Sequence, residues 1–146
     1  MPMKSIPILI AALVFVISST PVSAADSAAG PIKIGTILIL SGEGASWGVA
    51  SKNGVDLAIE KVNAAGGVLG RPLSVLHQDD QGDAKRSIAA FRQLTEIEGV
   101  NMIIGPNWST LGLPLIDSAT RAKTVMISPS LGAAKFNESS PFLFNT

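Results

Sequence analysis

The sequence predicts an α/β fold, a doubly wound parallel sheet with helices on both faces. Three observations carry this. Apolar runs of strand length recur along the chain, stretches with apolar residues at helical spacing lie between them, and glycine, proline and small polar residues separate the two kinds of segment.

The elements follow in order. Residues 32–40 (IKIGTILIL) form a near-continuous apolar run rich in β-branched residues, which marks a strand covered on both faces. Residues 41–48 (SGEGASWG) read as a Gly-rich loop. Val55, Ala58, Ile59 and Val62 recur at i, i+3, i+4 and i+7, the stripe of an amphipathic helix. Gly66-Gly67 closes that helix, because glycine enters the left-handed region without a Cβ clash. Gly70-Arg71-Pro72 is a turn, residues 73–77 (LSVLH) a second strand, and residues 79–83 (DDQGD) a polar loop whose Asp83 suits a helix N-cap. Ile88, Phe91 and Thr95 share one face of a second helix, ended by Gly99.

Residues 100–104 (VNMII) form a third strand, stopped by Gly105-Pro106. Ser109 or Thr110 is expected to cap a third helix with the stripe Leu111, Leu115, Ala119 and Ala122, Pro114 being tolerable in a first turn. Residues 124–127 form a fourth strand, residues 130–141 a long loop, and residues 142–144 begin a fifth strand. The chain ends directly after that run, so the sheet is expected to be incomplete and the chain a fragment of something longer. Such a piece leaves an unpaired edge and an uncovered apolar face.

Residues 1–24 read as a signal peptide. Lys4 supplies the positive end, residues 6–17 the apolar core, and Val22-Ser23-Ala24 the small-x-small pattern for cleavage between Ala24 and Ala25. The apolar run is shorter than the roughly 20 residues of a membrane span. Cleavage removes Lys4 and turns a balance of 11 basic against 11 acidic residues into one of 10 against 11. A neutral chain lacks the basic surplus that nucleic acid binding requires, so no nucleic acid partner is expected. There is no cysteine and one histidine, which removes disulfides, thiolate metal sites, cysteine nucleophiles and lipid attachment through cysteine. No metal or cofactor is expected.

In an open parallel sheet, ligands bind beyond the carboxyl ends of the strands. The loops predicted there are residues 41–48, 78–83, 106–110 and 129–132. They are rich in Ser, Gly and Pro, and suit a carboxylate held by neutral dipoles. Gly42, Gly44 and Gly48 form a loose dinucleotide pattern, but no acidic residue stands at the expected distance. Asp79, Asp80 and Asp83 lack the glycine and glutamate of a calcium loop. His77 reads as a strand-end side chain, and no serine sits in a G-x-S-x-G elbow. The residues do not describe an enzyme. Trp47 and Trp108 lie at the predicted ligand edge, where an aromatic ring covers a ligand or closes a pocket.

The run from Ile32 to Leu73 (IKIGTILILSGEGASWGVASKNGVDLAIEKVNAAGGVLGRPL) resembles the opening of type I periplasmic binding proteins, in the leucine/isoleucine/valine-binding group. Asp79-Asp80 with Asp83, Ile104-Gly105-Pro106, Ser109, Met126-Ile127-Ser128-Pro129 and Phe142 to Thr146 continue it in order. The resemblance implies that residues 25–146 are part of the N-terminal lobe of a two-lobed, periplasmic, monomeric subunit of an ABC importer. Its lobes close over an amino acid, and an inner-membrane permease reads the closed form. It also implies that Ser109 holds the ligand's α-carboxylate, that the Ser130 carbonyl meets the α-ammonium, and that Trp47 lines the pocket with Trp108 beside it. Gly132 stands where the group usually has a threonine. The alternatives are a sensor domain of the same fold and an exported enzyme.

Overall fold

The computed structural model describes residues 30–146. The expected signal peptide and its Ala24/Ala25 junction lie outside the described residues. The first strand, β1 (Ile32–Leu38), lies inside the sheet, second from one edge. It pairs in parallel with β2 (Leu73–Asp79) from Ile32↔Leu73 to Leu38↔Asp79, and on its other side with β3 (Met102–Ile104). Then β4 (Val125–Ser128) and β5 (Leu143–Asn145) continue the sheet, giving the all-parallel order β2-β1-β3-β4-β5. The chain steps one way from β1 to β2 and the other way afterwards, so the crossover helices divide between two faces and a crevice opens between β1 and β3.

Helix α1 (Ala45–Ala64) fills the first crossover. Gly66, at φ +100°, ends it as expected. Val55 is buried and Ile59 half-buried on its inner side, whereas Ala58 of the predicted stripe is exposed. The opposite face holds the main core. There α2 (Ala84–Arg92) runs into a π-turn over Gln93–Ile97, and α3 (Ser109–Gly112) passes through a 3₁₀ turn at Leu113–Leu115 into α4 (Ile116–Ala122). Ile37, Phe91, Leu94, Ile103, Leu115, Met126, Phe136 and Leu143 meet in one cluster, each contributing on the order of 1.5–3 kcal/mol by leaving water.

Several expectations are corrected. The loop after β1 is shorter than predicted, because the helix starts at Ala45. Trp47 therefore lies in the first turn of α1. Ser109 does not cap α3; Trp108 occupies the N-cap position and Ser109 is the first helical residue. Pro114 falls beyond the first turn, and the helix accommodates its missing N–H by tightening into the 3₁₀ turn. The long loop after β4 contains a short helix, α5 (Lys135–Glu138), seated by the fully buried Phe136. His77 lies inside β2, and Asp79 closes that strand.

On the face away from the core, Met102 and Phe144 are 40% and 48% exposed. Met102 lines an apolar groove there, and Phe144 lies on the same face of the sheet. Gly48 marks the opposite extreme of packing. A Cβ placed there would lie 1.9 Å from the Ile39 carbonyl oxygen, so only glycine lets the first turn of α1 rest on the end of β1. Gly48→Ala is expected to destabilise the fold by about 2 kcal/mol or more, read from the shift in urea midpoint.

Candidate functional site

The crevice between β1 and β3 is built by satisfying backbone groups. Where β1 leaves the sheet, the Ile39 N–H donates to Asn107 Oδ1 at 3.3 Å, and the Leu40 and Ser41 N–H groups donate to Asp79 Oδ1 at 2.9 and 3.3 Å. Asp79 also accepts from the Ser41 hydroxyl and the Gln81 N–H. Burial resists the charge on Asp79. The Ser41 hydroxyl and three backbone N–H groups outweigh it and hold the carboxyl below the usual aspartate range. The neighbouring Asp80 is fully buried, with only the Gly82 N–H and the Ser87 hydroxyl as donors, and burial pushes its carboxyl above that range. As expected, Asp83 caps α2, accepting from the Arg86 N–H at 2.9 Å.

Asn107 is fully buried and binds three segments together. Its Nδ2 donates to Ser51 Oγ of α1 at 3.0 Å and to Ser130 Oγ, in the loop after β4, at 3.4 Å; its carbonyl accepts from the Ser130 hydroxyl at 2.9 Å. Ser128 closes the same corner, donating to the Pro106 carbonyl at 2.6 Å and accepting from the Leu131 N–H at 3.0 Å. Ser109 Oγ accepts from the Ala133 N–H at 3.2 Å, which brings the start of α3 to the loop that carries Gly132.

A cavity of about 330 Å³ opens here, lined by Ser46, Trp47, Ala50, Ser51, Pro129 and Ser130. No titratable side chain lines it. Trp47 and Ser130 thus share one cavity. Ser109 and Gly132 do not line it; Ser109 meets the loop that carries Gly132 through the Ala133 N–H, and a Cβ on Gly132 would meet nothing within 4 Å. Trp108 does not line this cavity. Its ring covers two loops, lying 2.8 Å from where a Cβ on Gly44 would stand and 3.6 Å from one on Gly82. A larger groove of about 730 Å³, lined by Ile32, Ile34, Leu73, Met102 and Val125 among others, lies at the amino ends of the strands, away from the switch point.

His77 is not a strand-end side chain. Its Nδ1 is hydrogen-bonded to the Thr36 hydroxyl at 2.8 Å, and its Nε2 to the carboxylate of Asp56 on α1 at 2.9 Å. The hydrogen bond from Lys52 is the main reason the Asp56 carboxyl sits below its usual range, with His77 adding to it. The spacing mimics a hydrolytic triad, but Thr36 is fully buried, so no substrate reaches its hydroxyl. The array braces α1 to the sheet. Among the described residues no group of acids and histidines is placed to hold a metal ion, and no helix is long and apolar enough to cross a membrane.

The profile of the periplasmic binding protein family matches residues 31–146. The chain belongs to that family. A Leu/Ile/Val-binding protein of Rhizobium johnstonii is 30% identical over 125 residues, which is 86% of this chain and 32% of that protein. The isoleucine complex of a branched-chain amino acid transporter substrate-binding protein from Streptococcus pneumoniae superposes with a TM-score of 0.75 at 30% identity, over 79% of this chain and 33% of that one. A solute-binding protein of an ABC transporter from Rhodopseudomonas palustris, in complex with 3,4-dihydroxybenzoic acid, gives 0.73 at 27% identity over 79% and 31%. The family member described here spans about a third of the length of these relatives. The relatives are binding proteins, and the fold is that of the type I group.

Asn107 and Ser51 were not legible as site residues. An Asn after Gly-Pro reads as a turn former, and Ser51 sits inside a helical pattern. The two adjacent aspartates separate in a pH test. Asp79 carries a lowered carboxyl pKa, so its contribution is complete above the unfolded value near 3.8 and is lost as pH falls from there through the lower folded value. Asp79→Asn is expected to cost about 1–3 kcal/mol at pH 7, with the gap to the parent closing below pH 4. Asp80 has the opposite sign, its ionised form being disfavoured by the fold, so Asp80→Asn is expected to cost less than about 1 kcal/mol at pH 7. Urea titrations of both variants from pH 3 to pH 8 check this.

Proposed function

We propose that the chain is the first part of the first lobe of the substrate-binding subunit of an ABC importer. It works in the periplasm after cleavage between Ala24 and Ala25. The ligand is an amino acid of the branched-chain type, or a related small carboxylate or amide. It binds between this lobe and a second one and is passed to an inner-membrane permease; the full-length subunit is a monomer. Family membership and the named ligands of the similar proteins support this reading.

The observation that carries it is the bond between Ser109 Oγ and the Ala133 N–H. Ser109 accepts there and keeps its own proton, so its hydroxyl is a donor at the cavity edge. That suits the ligand's α-carboxylate. Trp47 forms an apolar wall, 58% exposed and ready to lose that surface to a ligand. Trp108 shapes the site by holding the Gly44 and Gly82 loops. Gly132 leaves empty the volume a threonine would fill, and its backbone remains to meet the ligand. A cavity without a titratable side chain suits binding rather than catalysis.

Ser109→Ala in the full-length protein is expected to weaken binding of leucine, isoleucine or valine by about 10–100-fold, the worth of one hydrogen bond to a charged group. Calorimetric titration checks it. Unchanged affinity with intact folding removes Ser109 from the site. Failure of the parent to bind any amino acid overturns the reading.

A further inference from the structure

We propose that the lobe carries a second binding site, for hydrogen phosphate, at the edge of the sheet opposite the cavity described above. The inference does not depend on the binding reading.

The site lies on the core face, at the amino ends of β3 and β4. A cavity of about 380 Å³ opens there. Its polar lining comes from Arg92 of α2, Glu96 of the π-turn, Ser118 and Arg121 of α4, and Asn101 and Thr124, which lead into β3 and β4. Strand alternation places Thr124 there. Val125 lines the groove on the other face and Met126 is in the core, so the residue two before Met126 also turns to the core face. Ser118 and Arg121 are three apart on α4 and share one side of that helix.

A cation in the last turn of a helix ordinarily complements the helix dipole. That accounts for Arg121. It does not account for Arg92, because the chain stays helical for the 5 residues of the π-turn that follows. The π-turn breaks the regular hydrogen bonding of the helix, and such turns recur at functional sites. Here it brings Glu96 to the cavity.

Among the described residues the ion pairs are Lys33–Glu98, Lys52–Asp56 and His77–Asp56. Neither arginine is paired, and Glu96 pairs with neither. Two guanidinium groups turned to one cavity without a counter-ion repel each other, and an oxyanion between them removes that cost. Their planar forks match phosphate oxygens in pairs. Ser118, Thr124 and Asn101 add neutral donors.

Glu96 decides which oxyanion fits. An ionised carboxylate only accepts, so it repels an anion without a proton and takes a hydrogen bond from one that keeps a proton. Near neutral pH inorganic phosphate keeps a proton, whereas sulfate and phosphodiesters have none. A lipid headgroup diester is therefore disfavoured and free phosphate favoured.

The test is equilibrium dialysis of radiolabelled inorganic phosphate against the full-length protein, with sulfate and glycerophosphocholine as competitors. Phosphate is expected to saturate one site, and both competitors to bind at least about tenfold more weakly. Arg92→Gln and Arg121→Gln are each expected to weaken phosphate about tenfold or more. Glu96→Gln is expected to bring sulfate within about threefold of phosphate. Lys123→Gln removes a neighbouring charge that does not line the cavity, and is expected to leave phosphate binding within about twofold of the parent. Thermal unfolding checks that each variant folds; Arg92→Lys and Arg121→Lys, which keep the charge and lose the fork, replace any glutamine variant that does not. Absence of saturable phosphate binding overturns the proposal. So does binding that neither arginine variant moves, a competitor as tight as phosphate, or a Glu96→Gln variant that still excludes sulfate. A loss in Lys123→Gln equal to that in the arginine variants also overturns it, because net charge alone then explains the binding.

Discussion

The constraint on which the site depends is the fate of three backbone N–H groups at the carboxyl end of β1. Inside the sheet, the strands on either side satisfy them. At the switch point those neighbours diverge, and Ile39, Leu40 and Ser41 lose their ladder partners, the first buried, the second half-buried and the third at the surface. Left unpaired, the buried group would cost about 1–3 kcal/mol. Two side chains meet them, Asn107 from the β3 side and Asp79 from the β2 side. The crevice is open because two strands part there, and it is ordered because these two residues close the gap in the hydrogen bonding.

Each of the two then fixes a different part of the site. Asp79 pins the start of the loop that leads into α1, and so sets where Trp47 emerges. Gly48 lets that first turn lie directly on β1. Asn107, oriented by Ile39, fixes Ser51 on α1 and Ser130 beyond β4. Ser109 reaches the same loop through the Ala133 N–H. Segments far apart in sequence are thus tied to one corner by short polar side chains. A stiff corner of this kind lets a ligand bind without first ordering the loops, which lowers the entropic cost of association.

The fold was legible because its signals are local. Strand-length apolar runs, helical stripes and Gly-Gly or Gly-Pro stops gave five strands and the main crossovers in order. Boundaries slipped where a competing effect acted. Trp47 entered the helix because Gly44 and Ala45 continue into it without a side-chain cap, and Pro114 was absorbed by a 3₁₀ turn rather than a first turn. The short helix around Phe136 was hidden because its formation depends on burying one ring in the distant core. Of the candidate site, Trp47 was reached from its place at the predicted ligand edge, and Ser109, Ser130 and Gly132 through resemblance, which carries the long-range geometry that spacing does not. Asn107 was missed because its importance lies in three partners 23 to 68 residues away.

The proposed binding role matches the chemistry of this corner. A hydrolytic or transfer site needs a group whose proton or lone pair is free to change partners during reaction. Here the Ser51 and Ser130 oxygens accept from Asn107, the His77 array ends on a buried threonine, and the Asp79 and Asp80 carboxylates accept from loop N–H groups and the Ser41 and Ser87 hydroxyls. What lines the cavity is an indole face, small side chains and serine hydroxyls. Those features recognise a small ligand by shape and dipole. They also face one side only, since the cavity is an open corner of a single sheet. In the two-lobed reading proposed above, high affinity comes from a second surface closing over the ligand, and the energy of that contact drives closure.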